Sequence, residues 1–329
     1  MKILVTGGAG FIGSHLSEHL IKAGHQVLVL DDLSTGNIKN LDRIKKSKNF
    51  KIRIGSVLEP SIVEDVIREC DMVYHLASAV GVQLIMDKPI DTIERIVQGT
   101  DIVLKYASRY RCKTLITSTS EVYGKSQDVP FREDGDRLEG PTHFHRWAYA
   151  CAKAMDEFMA LAHYKTTGMP VVIVRLFNTV GPRQSGQYGM VIPRFCRAAL
   201  ASDPIYVYGD GSQTRTFCHV LDVIEALDKL MMNDETIGQV FNVGSNEEIS
   251  IANLAKRVVT LAKSKSEIRF KTYEEIYPSG GFEDMKRRVP CIAKIKKAIQ
   301  WKSNRKLDGI IRDVLAYEKM SLKGKGGYK

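Results

Sequence analysis

The run KILVTGGAGFIGSHLSEHLIKAGHQVLVLDD, residues 2–32, decides the fold class. Ile3, Leu4 and Val5 make a short apolar strand, TGGAGFIG a glycine-rich turn, the residues from Phe11 onward an amphipathic helix, and QVLVL a second apolar strand ending in Asp31 and Asp32. That succession is a βαβ unit. Gly7 and Gly8 permit the tight turn. Gly10 lets the backbone approach a pyrophosphate at the helix N-terminus, where Phe11 and Ile12 open the helix, and Gly13 lets helix and strand pack closely. Asp31 can accept from both ribose hydroxyls of an adenosine and repels a 2′-phosphate, so the arrangement predicts NAD rather than NADP.

Outward from this unit, strand patterns at 50–54, 71–76, 113–118 and 171–176 alternate with helical patterns at about 60–70, 91–109 and 146–167. The alternation predicts a Rossmann-type α/β fold with a doubly wound parallel sheet. After RLFNTVGPR, residues 175–183, the rhythm breaks into shorter elements, and QVFNVGS, residues 239–245, reads as one more strand of the first sheet. The expected division is an NAD-binding domain over 1–179 with a returning segment at about 211–247. A smaller, discontinuous substrate lobe takes 180–210 and 248–329, and the last half-dozen residues read as a loose tail.

With 44% hydrophobic and 26% charged residues in 329, the chain has the composition of an ordinary globular protein. No apolar window is long enough to span a bilayer and the N-terminus enters a strand directly, which predicts a soluble, cytoplasmic protein with no membrane partner. The net charge of +10 comes largely from scattered lysines, as in RIKKSKNFKIR and KIKKAIQWKSNRK, without a stacking aromatic module or helix-turn-helix pattern. These read as solvated faces, not a nucleic-acid surface. The six cysteines have no metal-ligand spacing and sit mostly in apolar stretches, so reduced, buried thiols are expected, with no disulfide and no metal.

At ITSTSEVYGK, residues 116–125, an apolar strand gives way at once to Thr117, Ser118, Thr119, Ser120 and Glu121. This is the carboxyl end of a strand, where open α/β sheets bind ligands, although a polar turn with a helix cap has the same composition. In RWAYACAKAMDEF, residues 146–158, Tyr149 and Lys153 are four apart and share a helix face. A tyrosine is a poor base at its ordinary pKa near 10. A neighbouring ammonium and a positive nicotinamide ring stabilise its phenolate. A hydroxyl-rich strand end, a Tyr/Lys pair and a dinucleotide turn are the parts needed to take hydride from a secondary alcohol.

Through TGGAGFIG, TSEVYG, YACAK, RLFNTVGPR, VYGDGSQTRTF and RRVP, nearly the whole chain resembles the nucleotide-sugar branch of the extended short-chain dehydrogenase/reductase superfamily. The 4,6-dehydratases of that branch carry Thr-Asp-Glu where this chain has Thr119-Ser120-Glu121, and a serine cannot replace the carboxylic acid. The motif looks instead like that of the UDP-glucuronic acid decarboxylases of UDP-xylose synthase type. The alternative is a UDP-sugar 4-epimerase, glucose/galactose or glucuronate/galacturonate. A non-catalytic NAD-binding regulatory module is a third reading, and the intact Thr-Tyr-Lys set argues against it.

The resemblance implies that Tyr149, assisted by Thr119, takes the C4 hydroxyl proton of a UDP-sugar, while Lys153 holds the cofactor ribose and lowers the tyrosine pKa. The resulting 4-ketone makes a C5 carboxylate a β-keto acid, which loses CO2. By the same resemblance Ser120 and Glu121 face C5, Asn178, Gln213 and Arg215 contact UDP, and Arg288 and Arg146 lie near the acidic sugar. A homodimer is implied through the helices near 91–109 and 146–167, with Ile93, Ile96, Met155, Phe158 and Met159 as apolar residues beyond one face. Two departures stand out. Gly55-Ser56 replaces the Gly-Asp that often receives the adenine amino group, which leaves that contact to the backbone near Val57, and RQSGQYGMVIPRF, residues 183–195, differs from the xylose synthases.

Overall fold

Alternation of side chains along a few apolar strands builds the molecule. The strands are β1 (Lys2–Thr6), β2 (Gln26–Asp31), β3 (Phe50–Ile54), β4 (Met72–His75), β5 (Lys113–Thr119) and β6 (Val171–Leu176), with Gln239–Val243 as the last of the set. They form one seven-stranded sheet ordered β3, β2, β1, β4, β5, β6 and Gln239–Val243. Every neighbouring pair is parallel. The computed structural model describes residues 1–78, 89–186, 190–277 and 283–325, with side chains as far as Leu322. Residues 187–189 of the 183–195 loop and 326–329 of the expected tail lie outside the described residues.

Because successive strand residues point to opposite faces, Ile3, Val5, Val27, Val29, Val172 and Val174 fill one core layer. Leu4, Leu30, Val171 and Ile173 fill the other. The first layer is closed by the helices Phe11–Lys22 and Val220–Met231. The second is closed by Pro60–Arg68, Pro89–Tyr110 and Arg146–Thr167. A sheet buried on both faces explains why its strands read as continuous apolar runs. The order reverses between β1 and β4, so the carboxyl ends of the strands open onto a crevice at that point.

A separate core gathers Val180, Ile192, Phe195, Ile205, Leu254 and Ile310 beside the sheet. Two segments cross the expected division. Thr214–Thr216 pairs with Glu248–Ser250 and Arg287–Arg288 in a small three-stranded sheet of the outer lobe, whereas Ile295 and Trp301 pack into the first layer of the main core. All six cysteines are free. Four are buried as expected, but Cys151 is exposed and Cys291 intermediate, because Cys151 lies on the outward face of its helix.

Candidate active site

Every site residue singled out in the sequence lines one cleft of about 1290 Å³ at the carboxyl ends of the strands. At one end is the glycine turn. Gly7 has φ +69°, and a Cβ there would come within 2.8 Å of the Ala77 nitrogen. A Cβ on Gly13 would come within 2.2 Å of the Gly7 carbonyl oxygen, so no larger residue fits either position. Gly10 caps the helix Phe11–Lys22 without a side chain, which leaves the first-turn N–H groups directed at the cleft. Asp31 is buried, and its carboxylate accepts the N–H groups of Ala9 and Leu33 at 2.8 Å each. Burial raises its pKa, an effect opposed by those backbone donors. A bare backbone cradle with a fixed acid beside it fits a dinucleotide with free ribose hydroxyls.

At the adenine end, Ser56 has been drawn into local structure. Its N–H donates to Glu59 Oε1 at 2.9 Å and its hydroxyl accepts the Leu58 N–H at 3.2 Å.

The middle of the cleft carries the Tyr/Lys pair. Tyr149 and Lys153 share the inner face of the helix Arg146–Thr167, both buried. The Thr119 hydroxyl accepts the Glu121 N–H at 3.2 Å and is hydrogen-bonded to Tyr149, as expected for an assisting group. In the free protein the tyrosine pKa moves up. Burial raises it, Glu121 and Asp156 add to the rise, and Thr119 and Arg288 oppose it. Lys153 lies on the same face with its ammonium 2.7 Å from Asp156, fully buried one turn along. Ser120 is buried and its hydroxyl has no hydrogen-bond partner.

The far end is a ring of charge. Glu121 pairs with Arg146 at 3.1 Å and with Arg288 at 2.6 Å. Burial would raise its pKa, but Arg146 and Arg288 hold it at about 2. Arg146 and Arg215 both reach Asp284, at 3.1 and 2.7 Å. Asp284 also accepts the Tyr273 hydroxyl and the Met285 N–H. Against the cost of burial, Arg215, Arg146 and Arg288 hold Asp284 at about 2 as well. The ring therefore sets three guanidinium groups against two carboxylates, an excess of one positive charge.

Of the expected UDP contacts, Asn178 spends its amide N–H on the Thr216 carbonyl. Gln213 donates to Tyr208 and Tyr273 and keeps a buried carbonyl oxygen without a partner. Arg194, stacked 4.0 Å over the Tyr208 ring, lines the cleft beside them. Sequence reasoning missed Asp284, Tyr273 and Arg194. Only the acidic pair Glu283-Asp284 just before RR offered a signal for the first of these, and no local period links it to Arg146 or Arg215.

With this geometry in hand, the sequence profile of the family described as GDP-mannose 4,6 dehydratase matches residues 4–314. The chain belongs to this family, within the extended short-chain dehydrogenase/reductases. Among family relatives, a UDP-N-acetyl-alpha-D-glucosaminuronate decarboxylase of Bacillus cytotoxicus is 42% identical over 304 residues, 92% of this chain and 93% of the relative. UDP-glucuronic acid decarboxylase 1 of Arabidopsis thaliana is 36% identical over 92% of this chain and 66% of its own length. A UDP-glucuronic acid 4-epimerase of Bacillus cereus, solved with UDP-4-deoxy-4-fluoro-glucuronic acid and NAD, superposes with a TM-score of 0.88 at 25% identity. That match covers 98% of this chain and all of the epimerase.

Proposed function

We propose that this family member is an NAD-dependent decarboxylase of UDP-hexuronic acids, UDP-glucuronate or its 2-acetamido counterpart. The observation that carries the reading is the charge ring: a buried excess of positive charge, contiguous with the Tyr149 hydroxyl, suits a sugar that bears a carboxylate next to the carbon being oxidised. The two decarboxylase relatives, both named for uronate substrates, support it.

Bound NAD supplies the oxidant for C4. The chain's own part is to fix the geometry and move the proton. Gly7, Gly10, Phe11, Ile12 and Gly13 seat the pyrophosphate, Asp31 takes the adenosine ribose, and Lys153 reaches the second ribose. Tyr149 takes the C4 hydroxyl proton with Thr119 bonded to it. Its pKa is raised by burial in the free protein, and a positive ring bound beside it would lower it, which would couple base strength to cofactor binding. Ser120 turns its unpartnered hydroxyl toward the sugar, Arg288 holds the acidic group with Arg146 beside it, and Asn178, Gln213 and Arg215 lie along the UDP.

The helices Pro89–Tyr110 and Arg146–Thr167 leave Ile90, Ile93, Met155 and Phe158 exposed, which supports a homodimer through that face. Two residues expected there point inward instead. Ile96 packs against Tyr149, and Met159 against the main core.

The deciding experiment supplies UDP-glucuronate and UDP-N-acetylglucosaminuronate carrying carbon-13 at C6, with NAD, and follows a proton and carbon NMR time course. Release of labelled CO2 from either is the expected result. Inversion at C4 with the label retained would establish the epimerase alternative instead.

A further inference from the structure

Arg288 is buried, lines the cleft, and has one ion-pair partner among the described residues, Glu121, at 2.6 Å. Its Nε has no hydrogen-bond partner. Arg215, by contrast, is committed to Asp284 and to the Thr214 carbonyl, and Arg146 divides its guanidinium between Glu121, Asp284 and the Glu283 carbonyl. An acidic sugar entering beside Tyr149 therefore finds Arg288, the least committed of the three guanidinium groups, already paired with Glu121. A neutral sugar need not touch this pair.

We infer that Glu121 is an internal competitor for the substrate's carboxylate: it occupies Arg288 in the free enzyme and yields that guanidinium when a UDP-uronate binds. The inference rests on the proposed uronate substrate and assigns Glu121 a second task, that of setting how tightly acidic sugars are held. The physical case is one of exchange. A buried guanidinium left bare is costly, so the empty site needs a resident anion, and Glu121 is anchored for that purpose at the carboxyl end of β5 by its N–H bond to Thr119. The incoming carboxylate then gains only the difference between two ion pairs. Full affinity for the uronate ground state is withheld, which favours turnover over tight binding.

Glu121→Gln keeps the side chain's size and removes its charge. It is tested in the Tyr149→Phe background by calorimetric titration, so that nothing reacts during the measurement. UDP-glucuronate should bind at least about tenfold more tightly to the Gln variant, about 1.4 kcal/mol, with affinities for UDP-glucose and UDP unchanged. The unchanged UDP affinity also reports that the site is folded. Adding Arg288→Met should abolish the gain, because the contested partner is gone. Unchanged or weaker UDP-glucuronate binding in Glu121→Gln overturns the inference, as does a gain that survives Arg288→Met or extends equally to UDP-glucose. The labelled-carbon experiment judges the proposed function separately. CO2 release without tightening removes this inference alone, and tightening without CO2 release removes the decarboxylase reading alone.

Discussion

Tyr149, the proposed base, is kept protonated by the protein itself, since burial and two nearby carboxylates outweigh the groups that would ionise it. Lys153 is itself paired with the buried Asp156. The two residues should therefore fail differently when replaced. Tyr149→Phe should abolish the NADH absorbance that appears on mixing with substrate while leaving the melting temperature nearly unchanged. Lys153→Met should lose the same signal and also stability, because a fully buried aspartate is stranded, a change that typically costs about 3–5 kcal/mol. Lys153→Met combined with Asp156→Leu should regain the stability but not the NADH signal, read by thermal melts and stopped-flow absorbance. Retained NADH formation in Tyr149→Phe would remove the assigned role.

At the scale of elements, the helix Arg146–Thr167 serves two faces. Tyr149, Lys153 and Asp156 point inward, while Cys151, Met155 and Phe158 follow one another along the outside. Phe158→Asp should convert a dimer into a monomer by light scattering at micromolar concentration, with NAD binding retained; a monomeric parent protein would end the assembly reading. This duality was half legible. The spacing of Tyr149 and Lys153, the glycine turn and the hydroxyl-rich end of β5 are local patterns, and each landed in the cleft. The outward set was misjudged at Ile96 and Met159 because a helical period gives the faces but not which neighbour covers them. The charge ring was only partly readable. Glu121, Arg146, Arg215 and the pair Asp284 and Arg288 come from four separate segments, and their pairing across those segments is a product of the fold that no spacing encodes.

For the whole molecule, buried histidines and pinned carboxylates act together on acid stability. Burial lowers His15 to about 4, partly opposed by its bond to the Pro182 carbonyl, and lowers His75 to about 3. Each is neutral in the fold and charged in the unfolded chain below its ordinary value of 6.5. Their contribution is thus complete above that value and is lost as pH falls through the folded values. The depressed Glu121 and Asp284 add a second loss, from their ordinary values of 4.5 and 3.8 down to about 2. Stability from urea melts should begin to drop below pH ~6.5, approaching about 1.4 kcal/mol per pH unit for each histidine. A flat profile between about pH 7 and pH 5 would contradict this.

The way the two lobes share the cleft has a consequence for descent and redesign. Tyr149, Lys153, Asp31 and the glycine turn all belong to elements of the main sheet, whereas Arg215, Asp284 and Arg288 arrive from the outer lobe. On the proposed function, oxidation at C4 rests on the main lobe alone, whereas the handling of the neighbouring substituent draws Arg215, Asp284 and Arg288 from the outer lobe to meet Ser120, Glu121 and Arg146 of the main lobe. A lineage can keep the redox half fixed while exchanging a few outer-lobe side chains and the residue at 120, and so move between outcomes without rebuilding its chemistry. An engineer seeking a new sugar would leave the sheet alone and randomise the small-lobe segments 213–215 and 284–288.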